Sequence, residues 1–211
     1  MKVIGFDLDD TLYSHWEYEK VLFDAIAKSI EYKFRFDKEK VFAEMQKLFD
    51  AKDFEKLFDK AIVNSGFELP MGWDEFVKDK LLPFYRNHKP DSILRTFEWV
   101  KPLLSRVKEK SYKVVLITNG GVKIQRNKIE LLNLGNQFDR IYISDEFNPP
   151  MRKPDLKIFE TVLNYFEIKP EEMIYIGDSI EKDGACEKLG IKFLLNTDYK
   201  KLYEILDIAE K

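Results

Sequence analysis

Predominantly apolar runs recur along the chain at Val3–Phe6, Lys113–Ile117 ("KVVLI"), Ile141–Ile143 ("IYI"), Met173–Ile176 ("MIYI") and Ile191–Leu195 ("IKFLL"). None alternates cleanly with polar residues, so each reads as a strand buried on both faces, as in a parallel sheet covered by helices. Helical periodicity fills the later intervals. In "PDLKIFETVLNYFEI", Leu156, Phe159, Val162, Leu163 and Phe166 recur at helical spacing. A helix after "TNGG" carries Ile124, Leu131 and Leu132, with Gly135 placed to end it. Another covers "EKDGACEKLG", with Gly190 as its stop. Strand and helix alternate, which predicts an α/β fold: a Rossmann-like parallel sheet flanked by helices.

Residues 16–94 break this rhythm. The segments "EYEKVLFDAIAKSIEYKF", "DKEKVFAEMQKLFDA", "DFEKLFDKAIVNSGF" and "WDEFVKDKLLPFYRNH" read as helical, and no buried strand interrupts them. Phe54, Leu57, Phe58 and Ile62 fall on one helical face, and Trp73, Phe76 and Val77 begin another. A helical bundle with its own aromatic core is therefore expected as an insertion after the first strand. The α/β core takes residues 1–15 and 95–211, and the inserted helical domain takes 16–94.

Composition narrows the class of partner. The chain has 211 residues, 45% hydrophobic and 35% charged, with 35 Lys+Arg against 38 Asp+Glu. That balance suits a globular protein and gives no sign of a nucleic-acid or membrane surface. The single cysteine, Cys186, excludes an internal disulfide and a Cys-based zinc site, fits a reducing cytosol, and reads as packing. No apolar run approaches the roughly 18–20 residues that span a bilayer. The start "MKVIGFDLDD" lacks the features of a signal peptide, so a cytoplasmic location is expected.

The chemistry gathers where the strands end. Ligands of open parallel sheets bind beyond the carboxyl ends of the strands. Strand one delivers "DLDDT", with Asp7, Asp9 and Thr11; strand two delivers "TNGG", with Thr118 and Asn119. The loop beyond strand three carries "MRKPD" with Lys153, and strand four delivers "GDSIEKD" with Asp178 and Asp183. Crowded carboxylates repel one another unless a cation sits among them. A shared divalent ion and a nearby lysine would relieve the crowding. Asp10 and Ser179 read as local turn or cap residues.

In order and character these four segments resemble the motifs of the haloacid dehalogenase-like superfamily of hydrolases, and residues 16–94 sit where that superfamily places a helical cap. The resemblance implies that Asp7 is a nucleophile forming an aspartyl-phosphate. It implies Mg²⁺ held by the Asp7 carboxylate, the Asp9 backbone carbonyl and the Asp178 carboxylate, with Asp183 supporting the metal's waters. Thr118 and Asn119 would hold phosphoryl oxygens, and Lys153 would compensate charge. Asp9 stands at the acid–base position of the phosphatases, which the dehalogenases leave without a carboxylate. The expected activity is therefore Mg²⁺-dependent hydrolysis of a small phosphate ester. A phosphomutase using the same intermediate, or a retired phosphate-binding or regulatory protein, are the alternatives. The "FNPPMRKPD" loop departs from the shorter glycine-containing loops frequent in the superfamily, which puts the reach of Lys153 in question. His15 and Trp16, at the junction with the insertion, are the candidate substrate contacts on the cap side.

Overall fold

A computed structural model describes residues 2–91 and 94–206 of the chain. It divides into two compact units, residues 1–15 with 93–211, and Trp16–Ser92. β1, Val3–Phe6, opens the first unit and is buried throughout.

The second unit is helical: α1 (Trp16–Phe34), α2 (Lys38–Asp50), α3 (Leu57–Asn64), α4 (Trp73–Phe76) and α5 (Leu82–Asn87). α1 buries Leu22, Phe23, Ile26 and Ile30, α2 buries Val41, Met45 and Leu48, and α3 buries Leu57, Phe58, Ala61 and Ile62. These stripes meet in one core, where truncating a side chain such as Ile26 to Ala costs about 2–5 kcal/mol. Asp37 starts α2 by accepting from the backbone N–H groups of Glu39 and Lys40 at 3.0 and 3.2 Å. Two features differ from the periodicity reading. α4 and α5 are joined by a π-helical turn, Val77–Leu81. Pro83 has no N–H to return to the preceding turn, and the wider turn absorbs the missing bond. Phe54 precedes α3 instead of sharing its inward face, and is 53% exposed.

The first unit continues with α6 (Val100–Glu109), β2 (Lys113–Thr118), α7 (Val122–Leu131), β3 (Arg140–Ile143), α8 (Lys157–Phe166), β4 (Met173–Gly177), β5 (Lys192–Leu195) and α9 (Lys200–Ile205). The five strands form one parallel sheet in the order β3-β2-β1-β4-β5. All five expected strands are present, and α6 and α9 add to the expected helices. The chain builds outward from β1 on one side and then crosses to β4 on the other, so the order reverses about β1. At such a reversal the loops leaving adjacent strands part and open a crevice. α8 covers the sheet through Ile158, Phe159, Val162 and Leu163.

Two helix ends are corrected. α7 ends at Leu131, before Gly135, because Asn133 takes the left-handed conformation at φ 53° just past the Leu132 cap. The segment Gly184–Leu189 is a 3₁₀ helix rather than an α-helix, closed by Gly190 at φ 93°. Cys186 is buried in the core there. Among the described residues no helix is long and apolar enough to cross a membrane.

Candidate active site

Past Phe6 the backbone makes one more sheet bond, from Asp7 N to Ile176 O at 2.9 Å. That bond sets Asp7, 7% exposed, beside the end of β4, where Asp178 follows Gly177. The chain then turns sharply. Leu12 N bonds to Leu8 O at 3.0 Å, and Asp10 takes a left-handed conformation at φ 55°. Asp10 Oδ1 accepts from the backbone N–H of His15 at 2.9 Å, the local turn role expected of it.

Lys153 arrives from the loop after β3. Asn119 clasps that loop: its side-chain amide donates to Lys153 O at 2.8 Å and accepts from Lys153 N at 2.9 Å. The proline-rich approach does not hold the lysine away. Lys153 Nζ donates to Asp7 Oδ1 at 2.7 Å, to Asp183 Oδ1 at 2.5 Å and to the Tyr175 hydroxyl at 2.8 Å. Asp183 curls back toward β4, its N–H bonding to Ser179 O at 2.8 Å and its Oδ2 accepting from Ser179 N at 3.0 Å. Gly177 makes the curl possible, since a Cβ there would lie 2.4 Å from Asp183 Cγ. Carboxylate oxygens of Asp7, Asp178 and Asp183 lie within 4.8 Å of one another.

Electrostatics in this cluster pull both ways. Burial pushes the Asp7 carboxyl above its ordinary range; the charge of Lys153 opposes the rise and that of Asp183 adds to it. Burial also works against the charge of Lys153, but Asp7 and Asp183 outweigh it and hold the ammonium above its ordinary value.

Asp9, two residues on, faces other partners. Its Oδ1 accepts from Tyr13 Oη at 2.6 Å and from Lys128 Nζ at 2.8 Å, and its Oδ2 accepts from Gln125 Nε2 at 3.0 Å. Gln125 and Lys128 are one turn apart on α7 and both are buried. Gln125 Nε2 also donates to Thr118 Oγ1 at 2.5 Å. His15 Nε2 lies 3.0 Å from Lys128 Nζ and 3.9 Å from Asp9 Oδ1. Burial opposes ionisation of Asp9, yet the charges of His15 and Lys128, with hydrogen bonds from Lys128 and Tyr13, hold its carboxyl well below the usual range. Trp16 packs inside the helical unit, against Phe23, Phe42 and Phe49.

A family model described as haloacid dehalogenase-like hydrolase matches residues 4–195. The chain belongs to that family. A glyceraldehyde 3-phosphate phosphatase of Pyrococcus furiosus is 32% identical over 196 residues, covering 91% of this chain and 79% of the relative. A protein of the same name from Methanocaldococcus jannaschii is 29% identical, covering 87% and 78%. The solved structure of a HAD phosphatase from Thermococcus onnurineus shares the fold at TM-score 0.66 and 20% identity, covering 98% of each chain. Within the haloacid dehalogenase-like hydrolases the chain therefore groups with phosphatases.

The donor set also fits the metal expected of this family. Three carboxylates converge, and the Lys153 ammonium pairs with two of them, Asp7 and Asp183. An all-oxygen set of carboxylates suits a hard divalent cation such as Mg²⁺. The Asp9 carboxylate, engaged with Tyr13, Gln125 and Lys128, is turned to other work.

Sequence reading missed four side chains of this region: Tyr13, Gln125, Lys128 and Tyr175. One signal was available for two of them. The buried residues of α7 are Gln125, Asn127, Lys128 and Ile129, while Ile124 and Leu131 are only half-buried. A glutamine and a lysine at stripe positions of an amphipathic helix call for buried polar partners.

Proposed function

We propose that this chain is a Mg²⁺-dependent phosphatase of a small phosphorylated metabolite, working through an aspartyl-phosphate on Asp7. One observation carries the reading. Asp7, Lys153, Asp178 and Asp183 come from three segments far apart in sequence, yet their side chains lie within hydrogen-bond or metal-sharing distance. The phosphatase names of the relatives support the same chemistry, and point to a three-carbon sugar phosphate of the glyceraldehyde 3-phosphate kind as first substrate to test.

Asp7 attacks phosphorus as the bond to the leaving oxygen breaks, and Asp9 gives that oxygen its proton. Asp9 then takes a proton from the water that attacks the acyl-phosphate. Its surroundings favour the carboxylate, which suits this second step; the negative charge of a bound phosphate ester raises its proton affinity for the first. Lys153 places positive charge against Asp7 and the phosphoryl oxygens. Thr118, the end of β2, offers a hydroxyl oriented by Gln125, while the Asn119 side chain acts on substrate through Lys153, whose backbone it holds. Asp7, Asp178 and the Asp9 backbone carbonyl would hold Mg²⁺, with Asp183 supporting its waters, and the ion would supply charge neutralisation for the transferring phosphoryl group. The helical unit, Trp16–Ser92, takes the place in the chain where the superfamily inserts a helical cap.

Purified protein with Mg²⁺ should release inorganic phosphate from a panel of phosphorylated metabolites, with one or a few strongly preferred. Isomerised product with little phosphate would indicate a mutase. No hydrolysis of any ester would leave a binding protein.

A further inference from the structure

The lysine at the centre of the site has a third partner that the phosphatase chemistry does not call for. A lysine ammonium carries three donors and no acceptor. Two of those of Lys153 go to Asp7 and Asp183, and the third goes to the hydroxyl of Tyr175 at 2.8 Å. The ammonium lies 5.3 Å from the centre of the Tyr175 ring, so it sits beyond the hydroxyl and not over the aromatic face. The contact is a hydrogen bond. The hydroxyl passes its own proton on, donating to the backbone carbonyl of Ile117 at 2.9 Å. That carbonyl immediately precedes Thr118, the end of β2.

Tyr175 belongs to β4, and β1 separates β4 from β2. Its ring can reach across because its cross-strand partner on β1 is Gly5. A Cβ on Gly5 would lie 2.7 Å from Tyr175 Cδ2, closer than such atoms approach, so the ring occupies the space a side chain would take. Phe159 of α8 closes the other side, edge to face, with ring centres 5.0 Å apart. The ring is fully buried.

We propose that Tyr175 is a positioning residue for the phosphoryl-transfer lysine: lodged across Gly5 and anchored to Ile117, it fixes the direction of the Lys153 ammonium between Asp7 and Asp183. The inference rests on the phosphatase reading for its effect on rate, and on geometry alone for the anchoring. Without the hydroxyl, Lys153 keeps its charge and both carboxylates but loses the contact that stops it rotating between them.

Tyr175→Phe preserves the ring packing and removes only the hydroxyl. With p-nitrophenyl phosphate and Mg²⁺, kcat should fall about 10- to 100-fold, as for loss of a hydrogen bond to a charged group, while KM changes far less. In a Lys153→Met background the same substitution should change kcat by less than about twofold, because a residue acting through another has no effect once that other is gone. A second readout needs neither metal nor substrate. In the metal-free protein, nitrogen-15 NMR should detect a slowly exchanging ammonium signal that Lys153→Met removes and Tyr175→Phe broadens or shifts. An unchanged signal in Tyr175→Phe, or equal effects on kcat in both backgrounds, overturns the proposal. A wild-type protein that hydrolyses no phosphate ester sinks the phosphatase reading instead, and the NMR comparison still decides the anchoring.

Discussion

Asp7 and Asp9 are two residues apart on one strand end, and the molecule treats them oppositely. Asp7 lies in a buried acid cluster relieved by one lysine, and burial drives its carboxyl upward. Asp9 is met by Lys128, Gln125, Tyr13 and His15, and its carboxyl is driven downward. The residue type is the same and the local sequence is shared. What differs is which distant segments arrive: the β3–α8 loop and the turn after β4 at Asp7, the buried stripe of α7 at Asp9. The contrast teaches that a carboxylate's role in this fold is assigned by its visitors. The proposed nucleophile sits in a compact acid cluster where carboxylates that can hold a metal are balanced by the Lys153 ammonium. An acid–base group needs separate surroundings, so that its proton affinity can be set independently.

Breaking the Asp7 side has the largest effect. Asp7→Asn removes the attacking oxygen and should abolish steady-state phosphate release, while circular dichroism stays that of the wild type. Asp9→Asn leaves the nucleophile in place but removes its proton partner, and kcat should fall by roughly 10²–10⁴. Residual formation of the phospho-enzyme without turnover would separate the two roles further.

The difference between the two carboxylates can also be sharpened without touching either. Lys128→Met takes away the ammonium that contacts Asp9 at 2.8 Å. Because that charge lowers the Asp9 pKa, its loss raises it, so the limb of the pH–rate profile that requires the Asp9 carboxylate should move to higher pH. A fall in kcat of about tenfold should accompany the shift. An unmoved limb would mean that Lys128 does not set the protonation of Asp9.

How much of this was visible in the sequence depends on the kind of residue. The strands were legible because β1, β2 and β4 are largely buried on both faces, so Val3–Phe6, Lys113–Ile117 and Met173–Ile176 stand out as predominantly apolar runs, which β2 and β4 extend by one residue each. Asp7, Asp178, Asp183 and Lys153 were legible because parallel strands deliver their ends to one edge. The partners of Asp9 were not. Lys128 in a lysine-rich chain looks like surface until α7 is rotated so that Gln125 and Lys128 point inward. Tyr175 reads as an ordinary core aromatic in "MIYI", and only the strand order brings it past Gly5 to Lys153. The half-buried Trp16 packs against Phe23 and Phe49, a contact that its place in the chain did not announce. Local pattern reports burial; pairing across the sheet reports chemistry.

The smallest expected effect lies away from both carboxylates and serves as their control. Asp139 accepts from Lys113 Nζ and from the backbone N–H of Val114, both at 2.8 Å, at the start of β2. Burial opposes its charge, but Lys113 and the Val114 N–H hold its carboxyl below the ordinary value near 3.8. A depressed carboxylate stabilises the fold above its unfolded pKa, and the contribution is lost as pH falls through the folded value. Asp139→Asn should therefore cost under about 1 kcal/mol at neutral pH, nothing at strongly acidic pH, and leave kcat unchanged. Urea unfolding at both pH values, with an activity assay, checks it.

The most direct test of the central claim is chemical capture on Asp7. Wild-type protein mixed with a preferred phosphate ester carrying labelled phosphorus, in the presence of Mg²⁺, is quenched in acid within its first turnovers and digested. The label should be found on the peptide containing Asp7, and be missing from Asp7→Asn. Active protein that releases phosphate without ever holding label there, or holds it on a different residue, would contradict the account.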